Sequence, residues 1–228
     1  MPRVKDPQIE LTGRAARPGR RARAAVLALE GATARDLRRA LAHAIPFDRG
    51  PLLIAVDGGL ATCRAVRWRP DLFVGDLDSA GAEPDGIPSV VYPVAKDFSD
   101  FAGALREARR LGADVAVIAG LLGGRLDHEW SNILELGAVA PRFAGLLAPT
   151  TRGLVIVTAR RLRVRGLGRR VVSAFALGRT ARVSLQGTRW VLTNRSLAPG
   201  SLGLSNVTLD TLELHVHAGV AALVVPVS

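Results

Sequence analysis

Apolar positions along this chain follow two rhythms, and they divide it near residue 150. Before that point, short apolar runs of the kind a buried strand needs alternate with segments whose apolar residues recur every three or four positions. The runs 24–29, 52–56, 72–74, 90–94 and 115–119 predict strands. Helices are predicted over 34–44, where Thr33 can cap and Leu37, Leu41 and Ala44 share a face, and over 60–66. Two more are predicted over 100–111, packing Phe101, Leu105 and Ala108, and over roughly 127–139. Trp68 and Trp130 are read as core residues. Beyond Pro149 come short β-type runs with turn residues between them, at 154–158, 162–165, 170–175, 182–185, 190–193, 208–216 and 221–227.

Strands alternating with helices imply a mostly parallel sheet covered by helices, and regular short strands without helices imply antiparallel layers. The expected fold class is therefore α/β. A Rossmann-like, mostly parallel sheet domain over 24–150 is followed by a smaller antiparallel β-sandwich domain over 151–228. Residues 1–23, Arg-rich and without apolar periodicity, read as a disordered basic tail.

Composition sharpens this picture in three ways. No apolar run approaches the roughly 18 residues of a membrane span, so no membrane partner is expected. A single cysteine, Cys63, forms no intrachain disulfide, lies in a helix-like stretch without a basic neighbour and reads as buried and inert; a cytoplasmic location is expected. The net charge of +11 is unevenly spread, with residues 25–151 at −3 and residues 152–228 at +9. Only Lys5 and Lys96 are lysines, so the excess reflects arginine usage and nucleic acid is not the expected partner.

The charge pattern points to the chemistry, because the predicted strands of the first half end in aspartate: Asp57, Asp76, Asp78, Asp97 and Asp100 all follow apolar runs. In open parallel sheets ligands bind beyond the carboxyl ends of the strands. Converging carboxylates there need a cation, and oxygen ligands beside a phosphate site suit Mg²⁺. Asp76 and Asp78, two apart, can face one ion, and Gly75 allows close backbone approach. Gly123 and Gly124 offer backbone N–H groups at a loop entering a helix, and Arg125 adds a fork for phosphate. His128, in the first turn of that helix, reads as a structural hydrogen-bonding partner.

These residues together resemble the thiamine pyrophosphokinase family. The resemblance is carried by Asp57-Gly58-Gly59, Pro70-Asp71-Leu72-Phe73-Val74-Gly75-Asp76-Leu77-Asp78-Ser79, Lys96-Asp97-Phe98-Ser99-Asp100 and Gly123-Gly124-Arg125-Leu126-Asp127-His128. It continues in Gly187-Thr188-Arg189-Trp190-Val191-Leu192-Thr193-Asn194 and Gly200-Ser201-Leu202-Gly203-Leu204-Ser205-Asn206. It implies transfer of a pyrophosphoryl group from ATP to the hydroxyethyl oxygen of thiamine, giving thiamine diphosphate and AMP, by a homodimer with a shared active site. It implies Asp76, Asp78 and Asp100 as the Mg²⁺ and triphosphate cluster, Asp57 and Asp97 as its supports, and Arg125 and Asp127 with Gly123 and Gly124 on the nucleotide. Ser205 and Asn206 would line the thiamine pocket. The chain departs from the family pattern at Ser99 (usually threonine), Ala102 and Val207 (often glutamate). Two other readings share parts of this pattern: a diphosphokinase acting on a hydroxymethyl pterin, and an inactive regulatory or nucleic-acid-binding relative.

Overall fold

The computed structural model describes residues 7–12, 22–48, 50–76 and 84–227. Five residues of the stretch read as a disordered tail form a strand instead: β1 (Gln8–Thr12) pairs antiparallel with residues 161–165. Its local signal is weak because the partner lies some 150 positions away.

The parallel half follows the predicted alternation. Strands β2 (Ala24–Ala28), β3 (Leu52–Val56), β4 (Leu72–Gly75), β5 (Ser89–Val91), β6 (Val115–Ala119) and β7 (Gly145–Thr150) lie in the order β7-β6-β2-β3-β4-β5, each parallel to its neighbours. Four helices cover them: α1 (Ala34–Ala44), α2 (Gly59–Ala65), α3 (Asp100–Arg110) and α4 (Leu126–Val139). Alternation along the strands assigns the faces. Val26 and Val117 pack with Leu37 of α1 and Leu60 and Cys63 of α2, whereas Leu27 and Ile118 pack with Leu105 of α3 and Leu136 of α4. The start of α1 is fixed by a capping box: Thr33 Oγ1 accepts from Asp36 N at 3.2 Å and Asp36 Oδ2 accepts from Thr33 N at 3.0 Å.

The second half is antiparallel among its described strands. These are β8 (Gly153–Thr158), β9 (Arg161–Arg165), β10 (Val171–Ala176), β11 (Ala181–Thr188), β12 (Leu192–Leu197), β13 (Asn206–Ala218) and β14 (Ala221–Pro226). Strand β8 pairs with β7 across a tight turn, so the ladder runs through residue 150 without a break, and β14 and β10 extend it. Strands β13, β9, β11 and β12 form a further layer with β1 on its edge. Leu162, Leu185 and Leu214 of that layer share one apolar cluster with Ile156 and Leu223 of the first.

The topology also fixes where a ligand can enter. The chain leaves β2 through α1 toward β3 on one side, and leaves β6 through α4 toward β7 on the other. These diverging connections open a crevice at the carboxyl ends of β2 and β6, the usual ligand position in such sheets.

Candidate functional site

A cleft of about 520 Å³ occupies that crevice. Its walls are the ends of β2 (Leu29, Glu30, Gly31), β3 (Val56, Asp57) and β6 (Gly120, Leu121), the start of α3 (Ser99, Asp100, Phe101), and the loop and first turns of α4. Gly120 has φ 85°, and a Cβ there would lie 2.5 Å from Ala32 N, so only glycine lets the β6 loop press against the β2 loop.

Two of the predicted carboxylates meet beside this cleft around a lysine. Asp76 follows β4 and Asp100 opens α3; Lys96 Nζ lies 2.9 Å from Asp76 Oδ2 and 3.2 Å from Asp100 Oδ2. The side chains are nearly enclosed, at 8% exposure for Lys96, 9% for Asp76 and 17% for Asp100. Burial of the ammonium opposes its charge, but hydrogen bonds and Coulomb attraction from both carboxylates outweigh that, and the Lys96 pKa stands above the ordinary lysine value. Asp100 Oδ1 is buried without a hydrogen-bond partner, which leaves lone pairs for a further cation. Asp57 lines the cleft with its backbone at φ 48°, a left-handed conformation that aspartate tolerates better than most residues. Gly75 serves this packing: a Cβ there would lie 3.2 Å from Asp57 Cα.

Other predicted site residues are distributed differently. Asp78 lies outside the described residues, and among the described ones no group of three or more His, Cys, Asp or Glu side chains is arranged to hold a metal ion. Asp97 is exposed and does not line the cleft. Gly123, Gly124 and Arg125 do line it. Arg125 is exposed and pairs with Asp127 at 2.6 Å, which keeps the Asp127 carboxyl below its ordinary pKa; Asp127 thus aims the arginine from outside the cleft wall. His128 lines the cleft, and Cys63 is buried, its thiol pushed up to about 11 by desolvation.

Two contributors, Glu129 and Glu30, carry signals that sequence reading passed over, and a third, Ser99, gains a structural role. Glu129, one turn into α4, reaches back so that its Oε1 accepts from the N–H groups of Gly123 and Gly124. This carboxylate marks the pair of N–H groups as an anion seat. Glu30, a cleft residue, extends the apolar run of β2 by one polar position. Ser99 Oγ accepts from Ala102 N at 3.1 Å as the cap of α3 and donates to Glu135 Oε1 at 2.6 Å in the second half of α4, fixing the start of α3 to that helix.

The residues predicted for the acceptor pocket stand apart from the cleft, whose lining residues all fall between Leu29 and Asn132. Ser205, at φ 58°, is exposed, and its N–H donates to Ser173 Oγ at 3.0 Å. Asn206 is buried, and its amide is spent on its own chain. Oδ1 accepts from Trp190 N (3.0 Å) and Val207 N (2.8 Å), and Nδ2 donates to Thr188 Oγ1 (3.1 Å) and Trp190 O (2.6 Å). Trp130, expected in the core, is instead 67% exposed, because the buried face of α4 carries Leu136 and not the 126-130-134 row.

Taken together, fold and cleft define an α/β protein that places clustered carboxylates and an anion-seating glycine loop at the switch point of a parallel sheet, with antiparallel layers appended. The family resemblance is borne out: residues 47–143 match the family described as thiamin pyrophosphokinase, catalytic domain. The fold is that of solved structures of thiamine pyrophosphokinases. The one from Bacillus subtilis is 21% identical with a TM-score of 0.73, over 90% of this chain and 100% of that one. The Geobacillus thermodenitrificans structure is 22% identical with a TM-score of 0.70, over 90% and 98%. The Candida albicans structure is 13% identical with a TM-score of 0.70, over 91% and 90%. No curated protein matches the chain significantly. Among the described residues no helix is long and apolar enough to cross a membrane.

Proposed function

We propose that the protein is a thiamine diphosphokinase, transferring the β,γ-pyrophosphoryl group of ATP to the hydroxyethyl oxygen of thiamine. The observation that carries this reading is that one cleft is lined both by Asp100, which is held with Asp76 around the Lys96 ammonium, and by the Gly123-Gly124-Arg125 anion seat. The acceptor oxygen attacks the β-phosphorus, the bond from that phosphorus to the α,β-bridging oxygen breaks, AMP leaves, and the alcohol proton passes to a carboxylate of the cleft. Such a transfer needs alignment and charge neutralisation and no covalent nucleophile, in keeping with a buried Cys63.

The donor set fits Mg²⁺. Asp76 and Asp100 supply hard oxygens, the partnerless Asp100 Oδ1 is available to it, and the family resemblance adds Asp78. The ion would neutralise the triphosphate, while Arg125 and the Gly123 and Gly124 N–H groups, exchanging the Glu129 carboxylate for phosphate oxygens, hold the anion. Thiamine would be met by the surface around Trp190 and Ser205. Because that surface does not line the cleft of its own chain, we place it against the cleft of a second copy in a homodimer. Nothing in the cleft favours a pterin acceptor.

The test is direct. Purified protein with ATP, Mg²⁺ and thiamine should form AMP and thiamine diphosphate in equal amounts. Asp100→Asn should lower turnover at least 100-fold while its far-ultraviolet dichroism stays that of the parent. Absence of both products, or full turnover by Asp100→Asn, would remove the assignment.

A further inference from the structure

Lys96 is one of two lysines in the chain, and its side chain is more than nine-tenths enclosed. It lies between β5 and α3 and reaches a carboxylate on each side, Asp76 at 2.9 Å and Asp100 at 3.2 Å. Two carboxylates brought this close repel in a poorly solvated site, and one ammonium leaves the trio at a net charge of −1. A dication entering next to it must share the same oxygens and stand beside a fixed positive charge. A polyanion arriving with the dication relieves both.

We propose that Lys96 is the resident counter-ion of this cleft: it holds Asp76 and Asp100 together when no divalent cation is bound, competes with that cation for their oxygens, and thereby makes metal binding depend on the nucleotide. The inference rests on reading the cleft as a metal–nucleotide site. Asp100 Oδ1, buried and without a hydrogen-bond partner, is the point at which a cation engages before Lys96 is displaced. Lys96 then lies beside the incoming phosphate oxygens as a second positive charge. Such coupling is reciprocal, so the same lysine that weakens metal binding alone strengthens nucleotide binding in the presence of metal.

The experiment uses Mn²⁺ as probe, its free-ion electron paramagnetic resonance signal reporting binding to the full chain without ATP and then with it. Lys96→Met removes the charge, and Lys96→Gln removes it while keeping a hydrogen-bond donor in case the first variant folds poorly. Expected are an approximately tenfold tighter site for Mn²⁺ alone in either folded variant, a weaker response of that affinity to ATP, and a lower melting temperature in EDTA that Mn²⁺ restores. A lysine that merely fills space would lower the melting temperature without tightening the metal site. Mn²⁺ affinity equal to or below the parent's in both variants overturns the proposal, as does the absence of Mn²⁺ binding in all three proteins. These readouts do not involve thiamine, so a different acceptor would sink the proposed reaction and leave the role of Lys96 standing.

Discussion

Three of the four hydrogen bonds of the Asn206 amide reach Thr188 and Trp190 and pin the 188–190 turn to the start of β13, and the fourth comes from Val207 N. Asn206→Ala removes the acceptor of the Trp190 and Val207 N–H groups, while the Trp190 carbonyl keeps its bond from Thr188 Oγ1, a loss of about 1–3 kcal/mol of stability. The expected outcome is a lower denaturation midpoint together with a raised KM for thiamine and an unchanged KM for ATP. If the midpoint falls and both KM values stay put, Trp190 is not part of the acceptor surface. The motif containing Asn206 was legible in the sequence, but the hydrogen bonds of its amide to Thr188 and Trp190 were not. A polar residue after a turn reads the same whether its amide faces a ligand or the chain, and only the return of the 188–190 strand end decides. Lys96 is a parallel case, since the i,i+4 spacing to Asp100 is local while the contact with Asp76 depends on where β4 ends.

The joint between α3 and α4 yields a pH-dependent prediction. Glu135 is pushed above its ordinary pKa of 4.5, chiefly by burial, with the hydrogen bond from Ser99 and the charge of Arg106 offsetting part of it. A raised carboxyl pKa means the folded state holds the proton more tightly than the unfolded one. Its stabilising contribution is therefore complete below 4.5 and is lost as pH rises through the folded value. Glu135→Gln, which still accepts from Ser99, should melt higher than the parent at pH 7–8, with the gap closing in acid. Equal melting temperatures at every pH would contradict the burial of a charged carboxylate here. Elements with local stop signals were readable in the sequence. Helix α1 falls where Thr33 and the apolar spacing put it, and β3 and β6 match their apolar runs. What escaped were β1 and β7. The first has five alternating residues inside an arginine-rich stretch, and the second, Gly145–Thr150, contains Pro149 and closes against β8, so both depend on partners that local pattern does not carry.

At the scale of the whole molecule, eight of the thirteen exposed large apolar side chains among the described residues fall into two groups. Leu126, Trp130 and Leu134 form an i, i+4, i+8 row along α4 beside the cleft, and Trp190, Val191, Leu202, Leu204 and Leu209 are exposed on the antiparallel half. Charge follows the same division, with the segment holding the first set net negative and the segment holding the second strongly positive. Apolar rows on oppositely charged halves suit a two-fold contact in which each copy lays its 190–209 surface against α4 of the other. That arrangement would bring Trp190 to the cleft its own chain leaves open. Trp130→Glu, at a position two-thirds exposed in the single chain, should cost little folding stability. The variant is expected to sediment as a monomer, to bind ATP like the parent, and to lose most of its kcat/KM for thiamine. Sedimentation velocity and a titration of ATP separate these effects. A parent protein that is monomeric and fully active at assay concentration would end the shared-site reading, as would a monomeric variant that turns over thiamine normally.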